Sequence, residues 1–335
     1  CQIAYWEGRR DEVVQSLIED TIELYRRLDV YDIVNLCAMT LGLVPPKGYR
    51  PEAPRRVDDV TWEYPDGRVL KYSDVTDDIT LVYDPQQWTR PIRAEDFPLA
   101  YDAQPPDPST LEMVDAVVAA LGRERFIIGP FPRAEEWVQP GGMERSLMLM
   151  AEEPDLMERA LASSLAHARA ERAAWTNPGF DAVMDGTDWA FRSGTFMSPR
   201  MWRRFCYPAL ADNAQAAHAA GLLFVQHACG NNWAILDDIM AAGVDCYQSI
   251  QATASMDLAE VKARTRGHMA LWGGVPVEHL VSGTPDEVRR DVREAMAAAK
   301  EGGGYILGSS HSIAVGTRYD CFMAMLDEFV HCRAY

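Results

Sequence analysis

The feature that most constrains this chain is the alternation, through its second half, of short apolar runs with amphipathic helical segments. Leu222–Gln226, Val244–Ser249, His268–Trp272 and Tyr305–Leu307 read as strands, and the stretches 233–242, 257–266 and 285–300 between them read as helices. A strand followed by a helix and then a strand pairs parallel, because the helix returns the chain to the end where it began. The crossover is then right-handed. Upstream, Val30–Leu36, Phe126–Gly129 and Ala182–Met184 have the same strand character. Further helices are predicted over 8–28, from Ser109 to about Leu121, from Pro154 to about Trp175, from Ser198 to about Ala220, and over 319–332. The expected fold is α/β, a (β/α)8 or TIM barrel with an elaborated N-terminal region. Seven strands are legible, and the eighth is expected near Ile79–Tyr83 or in sequence preceding Cys1. An open doubly wound sheet is the runner-up, and its G-x-G-x-x-G signature is absent.

Local signals support several boundaries. Thr284, Pro285 and Glu287 supply a cap, an N1 proline and a capping-box acid, and Ser109 with Glu112 offers a second capping box. Residues 45–108 break the pattern: they are rich in proline, and Pro65-Asp66-Gly67 sits between Thr61–Tyr64 and Val69–Tyr72 as a hairpin turn would. This stretch has too few apolar residues for a core of its own, so residues 1–335 are expected to form a single barrel domain with 45–108 as an insertion or elaborated loop.

Charge and cysteine usage narrow the function classes. The formal net charge is -18 with no basic run, a balance that repels phosphate backbones and anionic lipid, so neither nucleic acid nor membrane is an expected partner. No apolar run approaches the ~20 residues that span a bilayer, and residues 1–29 lack the apolar core of a signal peptide. Seven scattered cysteines form no disulfide framework, which points to a reducing, cytoplasmic compartment.

In a barrel the active site is built at the C-terminal ends of the strands. There the sharpest pattern is His227-Ala228-Cys229-Gly230. Residues i and i+2 of a strand share a face, so His227 and Cys229 are expected to project together. A helix starting near Trp233 is expected to lower the Cys229 pKa through its amide dipoles. Imidazole beside thiolate suits zinc, with His311 after a later strand as a third donor and one position left open. Two other readings stand beside it: a helix-capping thiol next to a hydrogen-bonded histidine, and a Cys–His nucleophilic pair. Asp185 and Asp188, in Asp185-Gly186-Thr187-Asp188, are candidate catalytic acids, or else turn and cap residues. Asp32, in an apolar strand-like segment, is expected to be buried and is either a catalytic acid or a cap. Arg192, Gln248 and Asn231 follow strands and are candidates for holding a cofactor or substrate, Arg192 by gripping a carboxylate.

These motifs together resemble the uroporphyrinogen decarboxylase superfamily, which includes zinc-dependent, corrinoid-linked methyltransferases. The likeness rests on Asp185-Gly186-Thr187-Asp188 with Ser198-Pro199, His227-Ala228-Cys229-Gly230, Gly243-Val244-Asp245, Leu271-Trp272-Gly273-Gly274-Val275, and Tyr305-Ile306-Leu307-Gly308 leading to His311. It is concentrated over residues 180–330. The resemblance implies a (β/α)8 barrel with a cleft at its C-terminal mouth. The methyltransferase branch carries His-x-Cys and a distant Cys on zinc; His227 and Cys229 match the first two, while the third position here is His311. That branch implies one zinc per chain, which stabilises an acceptor thiolate, and a corrinoid, on a partner protein or as substrate, that exchanges a methyl group with a small-molecule thiol or other acceptor. The decarboxylase branch implies cofactor-independent decarboxylation of a tetrapyrrole carboxylate, with Asp32 as the weakly matched aspartate, but its arginine-containing N-terminal run is absent. A non-enzymatic corrinoid- or metal-binding accessory role is the third alternative.

Overall fold

The computed structural model describes residues 1–37 and 43–334. Two compact units divide the chain, Cys1–Asp181 and Ala182–Tyr335. Both are α/β: among the described residues two strands of the first and five of the second pair in parallel within their own unit, at the seven places where the apolar runs predict strands.

Among its described residues the first unit holds six strands: β1 (Ile33–Asn35), β2 (Arg55–Arg56), β3 (Thr61–Glu63), β4 (Val69–Ser73), β5 (Asp78–Tyr83) and β6 (Phe126–Gly129). β1 and β6 pair in parallel, Val34 against Ile127, and both residues are fully buried. β2 to β5 form a separate antiparallel sheet in sequence order. The β3–β4 hairpin lies where Pro65-Asp66-Gly67 predicts it, and Gly67 supplies the positive φ that the turn requires. The eighth parallel strand expected near Ile79–Tyr83 is not there. That segment is β5, the exposed edge of the antiparallel sheet. Only residues 74–77 separate it from β4, a connection that allows an antiparallel return but no crossover.

The capping box expected at Ser109 and Glu112 is also revised. Asp107 caps a short 3-10 turn through the Ser109 amide at 2.8 Å, and the α-helix begins after it, at Glu112. Glu112 instead receives Arg10, whose side chain is 3% exposed, at 2.6 Å and Lys47 at 2.5 Å. A carboxylate offered two cations is better satisfied there than by a single backbone amide, and both cations hold it below the usual glutamate range.

The second unit begins with β7 (Ala182–Gly186) and a small hairpin, β8 (Ala190–Phe191) and β9 (Gly194–Thr195). It continues with β10 (Leu223–His227), β11 (Cys246–Ile250), β12 (Ala270–Val275) and β13 (Tyr305–Ser309). β7, β10, β11, β12 and β13 pair in parallel in chain order. Helices such as Leu258–Thr265 and Pro285–Ala299 return the chain between neighbours. Helix Pro285–Ala299 starts on the predicted Thr284–Glu287 capping box and buries Val288, Val292 and Ala295, which recur at helical spacing. The helix predicted from Ser198 to Ala220 is two helices, Pro199–Phe205 and Tyr207–Ala219. Pro208 has no N–H to bond the carbonyl four residues earlier, and the helix breaks at Cys206. Trp189 and Trp202 pack edge to face with ring centroids 5.2 Å apart, both fully buried. They anchor the β8–β9 hairpin beside the end of β7. Among the described residues no helix is long and apolar enough to cross a membrane.

Candidate metal centre

Two strand ends of the second unit supply the site. His227 is the last residue of β10, Cys229 lies two residues beyond it, and His311 lies two residues beyond β13. One ligand atom from each comes within 4.8 Å of the other two. Cys229 Sγ is 3.3 Å from His227 Nε2, and the two imidazole rings stand edge to face with centroids 5.6 Å apart. His227 and Cys229 are partly buried, whereas His311 is exposed, so the cluster opens to solvent on the His311 side.

Neighbouring groups set the chemistry of each donor. Gln248 of β11 stands opposite His227 in the strand register, and its Oε1 bonds His227 Nδ1. An amide oxygen can only accept, so Nδ1 carries the proton and the Nε2 lone pair faces the sulfur. Burial pushes the His227 pKa down, with Gln248 and Asp188 opposing that shift, so the ring is neutral at neutral pH. The Cys229 thiol is pushed up to about 12, chiefly by burial. The helix-dipole lowering expected from the sequence is therefore absent. Residues 233–235 form only a 3-10 turn, and the α-helix starts at Leu236, seven positions past the sulfur. Dipole effects fade within the first turn of a helix.

The loop carrying Cys229 is tightly built. The Cys229 amide donates to Asp188 at 2.8 Å, and Asn232, fully buried, donates to the Cys229 carbonyl at 2.9 Å. Tyr247 closes the underside through its hydroxyl, which donates to the Ala228 carbonyl at 2.8 Å. Gly230 has φ +84°, and a Cβ there would lie 2.3 Å from the Ala190 carbonyl oxygen. Gly230→Ala combines a left-handed backbone with a hard clash, and we expect it to destabilise the protein by about 3 kcal/mol. Urea denaturation checks this; a change within about 0.5 kcal/mol would show that the loop yields.

The other sequence candidates fall in different places. Asp188 is half exposed at the rim, its carboxylate 3.7 Å from His227 Nε2. Asp185 is buried in β7 and accepts from the Gly186 amide at 2.7 Å and from Asn213 at 3.4 Å, so it braces the strand end. Arg192, exposed in the β8–β9 turn, donates to the Thr253 carbonyl at 3.1 Å. Asn231 shapes the loop, its amide donating to the Phe191 carbonyl at 2.8 Å. Asp32 is exposed, not buried, and precedes β1 at the strand's N-terminal end, whereas His227 ends its strand and His311 follows the end of β13. The chain reaches its buried positions only at Val34 and Leu36. Ser249 was not a candidate from sequence. It is fully buried with its Oγ 3.3 Å from Cys229 Sγ.

A family model described as uroporphyrinogen decarboxylase (URO-D) matches residues 89–331. The chain belongs to this family. The match takes in all three donors and every strand from β6 onward. Among solved structures, a methyltransferase from Methanosarcina mazei shares the fold of this URO-D chain. Its TM-score is 0.59 at 20% identity, over 80% of this chain and 77% of that one. D-Psicose 3-epimerase with D-tagatose from Clostridium cellulolyticum H10 aligns at a TM-score of 0.36 and 13% identity, over 72% of this chain and 86% of its own. No curated protein matches the sequence.

Proposed function

We propose that this URO-D family member is a zinc-dependent methyltransferase moving a methyl group between a corrinoid and a thiol or other small acceptor. The corrinoid is carried by a partner protein or is itself the substrate. The observation that carries this reading is the convergence of His227, Cys229 and His311, one ligand atom each within 4.8 Å. The same reading takes the chain as one (β/α)8 barrel domain with residues 45–108 as an insertion. Seven cysteines without a disulfide among the described residues suit the cytoplasm as its compartment.

The donor set fits zinc. His227 offers a neutral imidazole with its tautomer chosen by Gln248, and Cys229 offers a sulfur beside it. A carboxamide on the distal nitrogen of a ligating histidine is the kind of support such sites use. Two imidazoles and one sulfur would be three protein donors to zinc, the number usual in its catalytic sites. Zinc held there would act as a Lewis acid that stabilises the acceptor as a thiolate at neutral pH.

The chain's own residues do the rest. Gln248 keeps the His227 ring from rotating, and the Asp188 carboxylate fixes the Cys229 loop through the backbone amide. Asp188, half exposed at the rim, takes the proton that the acceptor thiol gives up. Arg192, also exposed, receives an anionic substituent of substrate or corrinoid. Asp185 and Asn231 hold the strand end and loop in shape. Asp32 has no part in this scheme.

Elemental analysis of protein purified without chelator tests the reading. One zinc per chain is expected in the native protein and a marked loss in His311→Ala. Native protein without zinc, or His311→Ala with full zinc, removes the basis of the proposal.

A further inference from the structure

Strand β11 carries a bulge at Ser249. Gln248 pairs with Trp272 of β12 and Ile250 with Gly273, so the register shifts at the residue between them. Ser249 has φ +84°, a left-handed backbone that a non-glycine residue adopts only at a cost in conformational energy. The bulge has a directional consequence. In a regular strand Gln248 and Ser249 would face opposite sides. Here both face the donor cluster: Gln248 Oε1 bonds His227 Nδ1, and Ser249 Oγ lies 3.3 Å from Cys229 Sγ. Bulges beside functional sites re-aim side chains in this way.

Ser249 has a second bond. Its hydroxyl donates to the backbone carbonyl of Ser310 at 2.8 Å, and Ser310 immediately precedes His311. The Ser310 amide is itself fixed to the Val275 carbonyl at 2.7 Å. One buried hydroxyl thus touches the sulfur leaving β10 and the backbone leaving β13. Cys229 and His311 are 82 residues apart in sequence (311 − 229) and lie on loops after non-adjacent strands.

We propose that Ser249 is a positioning residue of the metal centre: its hydroxyl, donating to the Ser310 carbonyl and packed against the Cys229 sulfur, sets the spacing of Cys229 and His311. The inference rests on the metal reading above and names a residue that neither the donor set nor the strand pattern identifies. It explains why a strained serine stands where glycine would be relaxed. Glycine would meet the backbone requirement, but without a hydroxyl the sulfur and the His311 loop would lose their common anchor.

Cobalt(II) titrated into the metal-free full-length protein, with a competing chelator, tests the inference through affinity rather than turnover. Ser249→Gly and Ser249→Ala are both expected to bind cobalt about 10- to 100-fold more weakly, the range for outer-shell changes. Ser249→Gly should unfold at a temperature no lower than the native protein, since glycine accepts the positive φ. Thiolate-to-cobalt charge-transfer absorption should persist at saturation, because Cys229 still binds. In a His311→Ala background, Ser249→Ala should cost little further affinity, because its effect works through the placement of that histidine. Native affinity in both Ser249 variants overturns the inference while leaving the metal reading intact. Full additivity with His311→Ala also overturns it. A native protein that takes up no cobalt overturns the metal reading and this inference with it.

Discussion

Cys229→Ser will abolish tight zinc uptake while leaving the fold in place. The sulfur is the one soft donor among the three, and it lies 3.3 Å from the other partly buried donor, His227 Nε2. A serine hydroxyl is of similar size but does not ionise near neutral pH, so the site would keep only two imidazoles, one of them exposed. The loss should exceed the roughly 100-fold ceiling seen for outer-shell changes, because a direct ligand is removed. Folding should survive, since the backbone bonds of this loop run through the Cys229 amide to Asp188 and the Cys229 carbonyl to Asn232, neither of which uses the sulfur. Zinc content by elemental analysis and a thermal melt on the same preparation check both halves. A folded serine variant with the native zinc complement would show that the sulfur is not a ligand, and the methyltransferase reading would fall with it.

What was legible in the sequence follows from what strands and helices impose on residue order. Phe224, Tyr247 and Leu271 sit in apolar runs because parallel strands are covered on both faces, and such runs are visible without alignment. His227 and Cys229 were readable as a pair because their spacing alone predicts proximity, and the structure brings His311 to them. Three things were hidden because each depends on tertiary context. The bulge at Ser249 reverses an alternation that the sequence would place the other way. The acidity of Cys229 turns on how deeply its loop is buried and where the next helix truly begins, at Leu236. Asp32 reads as buried from its apolar neighbours, yet the strand starts one residue later and leaves it outside. The pairing of β5 was hidden for a related reason: Ile79–Tyr83 has strand composition, but only the short turn before it decides that the neighbour is antiparallel.

Metal affinity will rise steeply with pH. In the metal-free protein Cys229 is a neutral thiol, because burial pushes its pKa up to about 12. His227 is held neutral by burial, which lowers its pKa against the opposing pull of Gln248 and Asp188. Binding a cation at the three donors therefore expels one proton, the one on sulfur, across the whole range in which imidazoles are unprotonated. The sign follows from mass action: if a proton is released on binding, lower proton concentration favours the complex. From about pH 8, where ordinary histidines are neutral, to about pH 10, log affinity should climb with a slope near one, about tenfold per pH unit. The slope should continue toward pH 12 and flatten only there, where the free thiol itself ionises. An unperturbed cysteine would flatten near its ordinary value of about 8.5. Cobalt(II) titrations against a chelator of known proton affinity, repeated at half-unit steps, measure the slope directly. Affinity that levels off below about pH 9 would mean that the thiol is already a thiolate without metal, and that the buried sulfur is stabilised by a charge other than that of a bound cation.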